Sequence, residues 1–460
     1  MYKKEKQFIF IFSFLLVFLL FFLWFLSYDD YLYGSSSSVV SQYQVVDIKD
    51  KALAAEIVFR GIEFPTSMAF LNKDDILVLE KNNGTVKRIT QGKMAHDPVT
   101  DLDVASRGER GLLGIATLTT NSTNNNKTLV FLYLTESSGK DGDDHYKNNP
   151  IGNRIYKFEF SEDASKLVNK KLLIDLPVGQ AAHHNGGKIV IGPDRNLYFT
   201  IGDLGSDNFQ ITNNKKGSKP DGRAGILRIT PDGGAVEDDF SLGKIHPLNK
   251  YFAYGIRNSF GMDFDPVSGK LWDIENGPGF GDEINLVEPG FNSGWSKIQS
   301  FWENTTSSTP RYVGDNPKDL FSFDGKGKYS PPELSFLNKM GLSAMQFFDS
   351  NELGKKYKDT LFVGDFHSGK LYNFRLSENR TSIILDKNAT NDKMAENELQ
   401  LEPFEFAEGF GGIVDVQTGP DGYLYVLSLQ YGGDDCYDSK VNCIDYSSKN
   451  IGSIFRVIPK

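Results

Sequence analysis

Six histidines occur in the 460 residues, and two of them, His183 and His184, are adjacent in the segment HHNGGKIVIGPDRNLYFTIGD. Imidazole changes charge near neutral pH. An adjacent pair therefore has three readings: a turn pair bonded to backbone, a metal site, or the base of an enzyme. The same segment ends in Asp203, which on residue type alone is a strand-end cap. Further on, Arg257-Asn258 reads alone as a buried polar anchor between sheets. The two cysteines, Cys436 and Cys443 in CYDSKVNC, lack a third and fourth ligand for zinc. Outside a reducing compartment they could close a short surface loop as a disulfide.

The elements that must position these groups are strands. Thirty-nine per cent hydrophobic residues, 45 glycines and 35 phenylalanines point to a turn-rich β protein. From about residue 57 an apolar run, a polar turn and a second apolar run recur in six places. Examples are SMAFLNKDDILVLEKNNGTVKRI, GGKIVIGPDRNLYFTIGD and VDVQTGPDGYLYVLSL. A lone hairpin cannot bury both faces, so radial stacking of four-stranded blades is the natural solution. The expected fold class is all-β: a six-bladed β-propeller over residues 58–460, with two packed β-sandwiches as the alternative. A net charge of −10 argues against nucleic acid, which calls for a basic stripe.

The N-terminus carries a different signal. MYKKEK (with Gln7, the basic segment 1–7) precedes QFIFIFSFLLVFLLFFLWFLS, an apolar run with no small-residue cleavage site. Roughly 20 residues at 1.5 Å each span the ~30 Å hydrocarbon layer, so residues 8–27 are expected to be a transmembrane signal-anchor. Lys3, Lys4 and Lys6 would keep the N-terminus inside and the rest extracytoplasmic, at the cell membrane. Secretion after cleavage is the alternative. Residues 28–57, with GSSSSV, are expected to be a flexible tether. Sequons at Asn83, Asn121, Asn126, Asn304, Asn379 and Asn388 agree weakly with an outside location.

At GLLGIA, the HHNGG segment, GIRNSFGMDFDP, ENGPGFGDEINLVEPGFNSGW and DVQTGPDGYLYVL the chain resembles the glucose/sorbosone (aldose sugar) dehydrogenases. These enzymes use pyrroloquinoline quinone (PQQ) and Ca²⁺ on a six-bladed propeller. The resemblance implies oxidation of a small-molecule sugar at its anomeric carbon, with hydride transfer to the quinone. It puts His184 at the base, Asp203 at the carboxylate that orients it, and Arg257 and Asn258 at the quinone oxygens. Gly277 and Pro278 fall on carbonyls that hold Ca²⁺ against the cofactor. Glu283 and the backbone of Ser293 fall on a second Ca²⁺ site. The resemblance leaves the electron acceptor open.

The pattern breaks at the cofactor's carboxylates. Relatives read R-x-R-D-V where this chain has Gly412-Ile413-Val414-Asp415-Val416. His367 falls on a cofactor-binding lysine, and Glu109 falls on a glutamine, where it would repel a polyanion. Arg107 or Arg110 could compensate. Two readings follow: a PQQ/Ca²⁺ sugar dehydrogenase with a remodelled pocket, or a non-enzymatic propeller that binds a sugar, glycan or protein.

Overall fold

Short turns with fixed chemistry close the hairpins. In Gly192-Pro193-Asp194-Arg195, the Gly192 amide donates to Asn196 O and the Arg195 amide to Gly192 O. Asp194 accepts from the Asn196 amide at 3.1 Å and from the Tyr198 hydroxyl at 3.0 Å. Gly419-Pro420-Asp421-Gly422 repeats the device, with Asp421 accepting from the Tyr425 hydroxyl at 2.9 Å. In both turns a short carboxylate replaces backbone partners that the reversal leaves unpaired. The strands that follow, Leu197–Ile201 and Leu424–Leu429, are buried along their whole length. Each is buried at every position, so its sequence, LYFTI or LYVLSL, is apolar but for one small hydroxyl residue rather than an alternation. Each such side chain contributes about 1.5–3 kcal/mol by leaving water.

The computed structural model describes residues 45–120, 127–146, 149–237, 240–301, 313–314, 316–386, 393–429 and 452–460. All belong to one unit, Val45–Lys460. The opening strands of successive sheets pack side by side in a closed ring. Pro65–Asn72 lies beside Leu112–Thr120, then come Ile189–Ile191, Ser259–Phe264, Leu342–Phe348 and Gly412–Thr418, which returns to Pro65–Asn72. The chain closes on itself in the last sheet, where N-terminal Leu53–Ile62 pairs antiparallel with C-terminal Gly452–Pro459. The architecture is an all-β propeller.

Its plan differs from the expected six four-stranded blades behind a membrane helix. Among the described residues there are seven sheets, of 5, 4, 6, 5, 4, 2 and 5 strands, so only two have the expected four. The extra strands are two-residue pieces. Phe291–Asn292, Lys328–Tyr329 and Met394–Ala395 add in parallel, and Asp47–Ile48 adds at an edge. Pieces this short carry no hydrophobic period, which is why the hairpin pattern missed them. Leu53–Ile62 and Asp47–Ile48 also place sheet strands inside the segment expected as a tether. The helical elements among the described residues are short 3₁₀ turns, and none is long and apolar enough to cross a membrane. Residues 8–27 and the Cys436–Cys443 loop lie outside the described residues.

Candidate active site

A cavity of about 1210 Å³ is lined by Pro65, Leu113, Phe260, Leu342 and Val414 on strands of the ring and by the turn before Ile189–Ile191. His184 enters it from the turn before Ile189–Ile191, in a left-handed conformation with φ of 60°. That geometry is uncommon for a residue with a β-carbon and persists only where the surroundings fix it. Here Glu109 does so: its Oε2 accepts the His184 amide at 2.6 Å and the Asn258 side-chain amide at 3.2 Å. Glu109 was expected to repel an anionic cofactor. It also clamps two site residues.

Asp203 follows Leu197–Ile201, and its backbone amide donates to Arg257 O at 2.9 Å. This bond draws the end of one sheet onto the next. It requires Gly202, because a β-carbon there would lie 2.4 Å from His184 O and 2.6 Å from Arg257 O. Asp203 Oδ1 then lies 2.6 Å from His184 Nδ1. An ionised carboxylate can only accept, so Nδ1 carries the proton and Nε2 is the nitrogen with the free lone pair. Burial pushes the Asp203 carboxyl up. The bonds from His184, the Gly205 amide at 2.7 Å and the Trp295 indole at 2.8 Å outweigh it and hold the group below its ordinary value. His183 packs edge-on against His184 with ring centres 4.4 Å apart, and burial lowers its pKa.

Arg257 is fixed at both ends. Its amide donates to Glu275 Oε1 at 2.7 Å and its guanidinium to Asn276 O at 2.8 Å. Asn258 Oδ1 accepts the Gly186 amide at 3.3 Å, on the turn that carries His184. Gly277 and Pro278 share the same cavity. A β-carbon on Gly277 would meet Phe280 O at 2.0 Å, so only glycine makes this turn. Asp282 steadies it, accepting the Gly277 amide through Oδ1 and the Met340 and Gly341 amides through Oδ2, each at 2.8 Å.

Glu283 and Ser293 stand apart from this group and do not line the cavity. Glu283 accepts the Ser300 amide at 2.6 Å and Gln299 Nε2 at 3.0 Å, and the Ser293 hydroxyl lies 3.3 Å from it. Beside it lie Glu275, which burial raises to about 7, and Asp273, which burial raises well above the ordinary carboxylate value. Both Asp273 oxygens, Asn285 Oδ1 and Gln299 Oε1 are buried without a hydrogen-bond partner. No group of three or more His, Cys, Asp or Glu among the described residues forms a metal cage.

Of the altered positions Gly412, Val414, His367 and Glu109, the last three line the cavity and Gly412 does not. Arg110 supplies no compensation: it is buried, paired with Asp144 at 2.9 Å and bonded to Gly179 O at 2.7 Å. The cavity's other cations are Lys81, Arg107, Lys188 and Lys339. Burial pulls the Lys81 ammonium down to about 7, and Lys188 pairs with Asp415 at 2.7 Å. Sequence reasoning missed Trp295. The GW of GFNSGW contains it, but nothing local says that its indole reaches Asp203, 92 positions away.

The glucose/sorbosone dehydrogenase family model matches residues 62–434. The aldose sugar dehydrogenase of Escherichia coli is 25% identical over 385 residues, covering 82% of this chain and 91% of its own. The crystal structure of the soluble E. coli enzyme in its apo form has a TM-score of 0.62 at 20% identity, covering 89% of this chain and 100% of that one. The PQQ-bound aldose sugar dehydrogenase of Streptomyces coelicolor has a TM-score of 0.57 at 21% identity, covering 90% and 98%. This chain belongs to the PQQ-dependent glucose/sorbosone dehydrogenase family, quinoprotein oxidoreductases that act on CH–OH donors.

Proposed function

We propose that this protein oxidises the anomeric carbon of an aldose to the lactone, with His184 as the base and PQQ and Ca²⁺ as cofactors. The observation that carries the reading is the His184–Asp203 pair at 2.6 Å, with His184 and Arg257 lining one cavity. His184 Nε2 takes the anomeric hydroxyl proton, and Asp203 stabilises the imidazolium that forms. PQQ, when bound, supplies the two-electron acceptor for the hydride. Arg257, held by Asn276 O, offers fixed positive charge where negative charge develops, and Asn258 adds an amide beside it.

The residues present fit such a cofactor. The cavity exceeds the ~300–1,000 Å³ of ordinary ligand sites and, beyond Lys188 paired with Asp415 and Lys81 lowered by burial, is lined by Arg107, Arg257 and Lys339, cations for a polycarboxylate. Gly277 and Pro278 would hold Ca²⁺ through carbonyl oxygens, which suit a hard cation without a carboxylate cage. The partnerless buried oxygens of Asp273, Asn285 and Gln299 beside Glu283 fit a second Ca²⁺. A setting outside the cytoplasm belongs to the proposal, supported by the N-terminal basic-apolar sequence alone. The test is titration of the protein with PQQ and Ca²⁺, following cofactor absorbance, then dye reduction with a panel of aldoses. Saturable binding and dye reduction that depend on both cofactors are expected. Neither appearing with any aldose would end the reading.

A further inference from the structure

Asp203 presents two oxygens, and different parts of the chain hold them. Oδ1 takes His184 Nδ1 at 2.6 Å and the Gly205 amide at 2.7 Å. Oδ2 takes the indole Nε1–H of Trp295 at 2.8 Å. The same indole lies against Arg257, whose guanidinium carbon is 5.5 Å from the ring centre. Trp295 is itself pinned through its backbone: its amide donates to Gly255 O at 3.0 Å and its carbonyl accepts from Asn213 Nδ2 at 2.8 Å. One rigid side chain thus touches both the acid behind the base and the cation beside it.

We propose that Trp295 is a positioning residue that fixes the plane of the Asp203 carboxylate and seats the Arg257 guanidinium, joining base and cation into one unit. The inference rests on the reading of His184 as the base. A carboxylate bonded through one oxygen alone can rotate away from its imidazole, and a donor on the second oxygen removes that freedom. The donor is neutral, so it orients Asp203 without cancelling the charge that must stabilise an imidazolium. A Lys or Arg in its place would cancel it. The flat apolar face on the other side gives the guanidinium a cation–π seat. The charged or titratable groups around the His184–Asp203 pair are His183, Glu109, Arg257, Glu275 and Arg223, which also donates to Asp203 O.

The test is Trp295→Phe, which keeps a ring for Arg257 and removes the N–H. In cofactor-free full-length protein, histidine-ring NMR should show the His184–Asp203 pair taking up its proton at higher pH than in wild type, because the carboxylate has lost a donor. With PQQ, Ca²⁺ and an aldose, kcat should fall about 10-fold while KM changes little. Trp295→Ala should lower turnover further and weaken PQQ binding, since Arg257 loses its seat. A folded Trp295→Phe protein with wild-type pair titration and wild-type kcat overturns the inference. Should that variant not fold, the wild-type Trp295 indole resonance decides. It should shift with the midpoint of the pair and lose that shift in Asp203→Asn, and an indifferent resonance overturns the coupling. Absence of PQQ-dependent turnover in wild type removes instead the base reading beneath it.

Discussion

Two walls of one cavity have been treated differently. On the wall of His184 and Arg257, and at Asp203 and Trp295, which bond or pack against them without lining the cavity, every group is held by at least one bond from another part of the chain. On the other side stand Val414 and His367, where the resemblance places an arginine and a lysine, with Lys339 lining the same cavity. His367 lies against Gly341, on the loop that carries Lys339, and burial followed by the Lys339 charge lowers its pKa. The difference follows from the chemistry. Proton transfer needs a nitrogen placed within a few tenths of an ångström, whereas a carboxylate needs only positive charge nearby. Direction cannot be moved between elements; charge can.

The comparison breaks most visibly at His184. His184→Ala should lower turnover by about 10²- to 10⁴-fold, the usual worth of a positioned base, and leave PQQ binding within a few-fold of wild type. Turnover assays paired with absorbance titration of PQQ check it. A small loss of turnover would mean that the well-held wall is only structural. Arg257→Ala comes next and should damage both quantities, with turnover down about 10²-fold, because on the proposed reading its charge would serve the cofactor as well as the developing charge.

Much of the well-held wall was legible in the sequence, because its residues sit in segments with their own signature. The HHNGG turn, the IGD strand end and the RN pair lie beside strands, and their resemblance to the family, rather than any local pattern, marks them as site residues. What escaped reading was long-range. The Glu109 carboxylate was legible only as a charge; that it clamps the His184 amide depends on a left-handed turn 75 positions away. Arg110 looked available for a ligand but is consumed by Asp144. The strand count failed because two-residue strands have no period, and the pairing of Leu53–Ile62 escaped because pairing with the far terminus leaves no local trace.

The charge-bearing wall yields smaller effects, which sharpen the contrast. Lys339→Met should weaken PQQ binding about 10-fold, the scale of one charge-assisted contact, while kcat at saturating cofactor stays as in wild type. A titration of affinity against ionic strength should show a shallower slope for the variant. An equal loss in kcat would mean that this wall also governs the chemistry.

The smallest effect is expected from Val414→Arg. Val414 is half-buried on the cavity wall and packs against a buried cluster that includes Met68 and Leu427. Its neighbour Asp415 is already claimed: Lys188 donates to it at 2.7 Å, as do the Ser67 hydroxyl at 2.8 Å and the Met68 amide at 3.0 Å. A new guanidinium therefore finds no vacant carboxylate on its own strand, and its charge remains open to an anion in the cavity. Against this, the variant gives up part of the apolar packing, at a cost of about 1 kcal/mol in stability. PQQ affinity should rise about 3- to 10-fold with kcat unchanged and the melting temperature a few degrees lower. Calorimetric titration and thermal melting of the same preparation measure both sides. Unchanged affinity in a folded variant would show that Lys339 and its neighbours already meet the carboxylates, and that the wall lost its arginines without losing its charge.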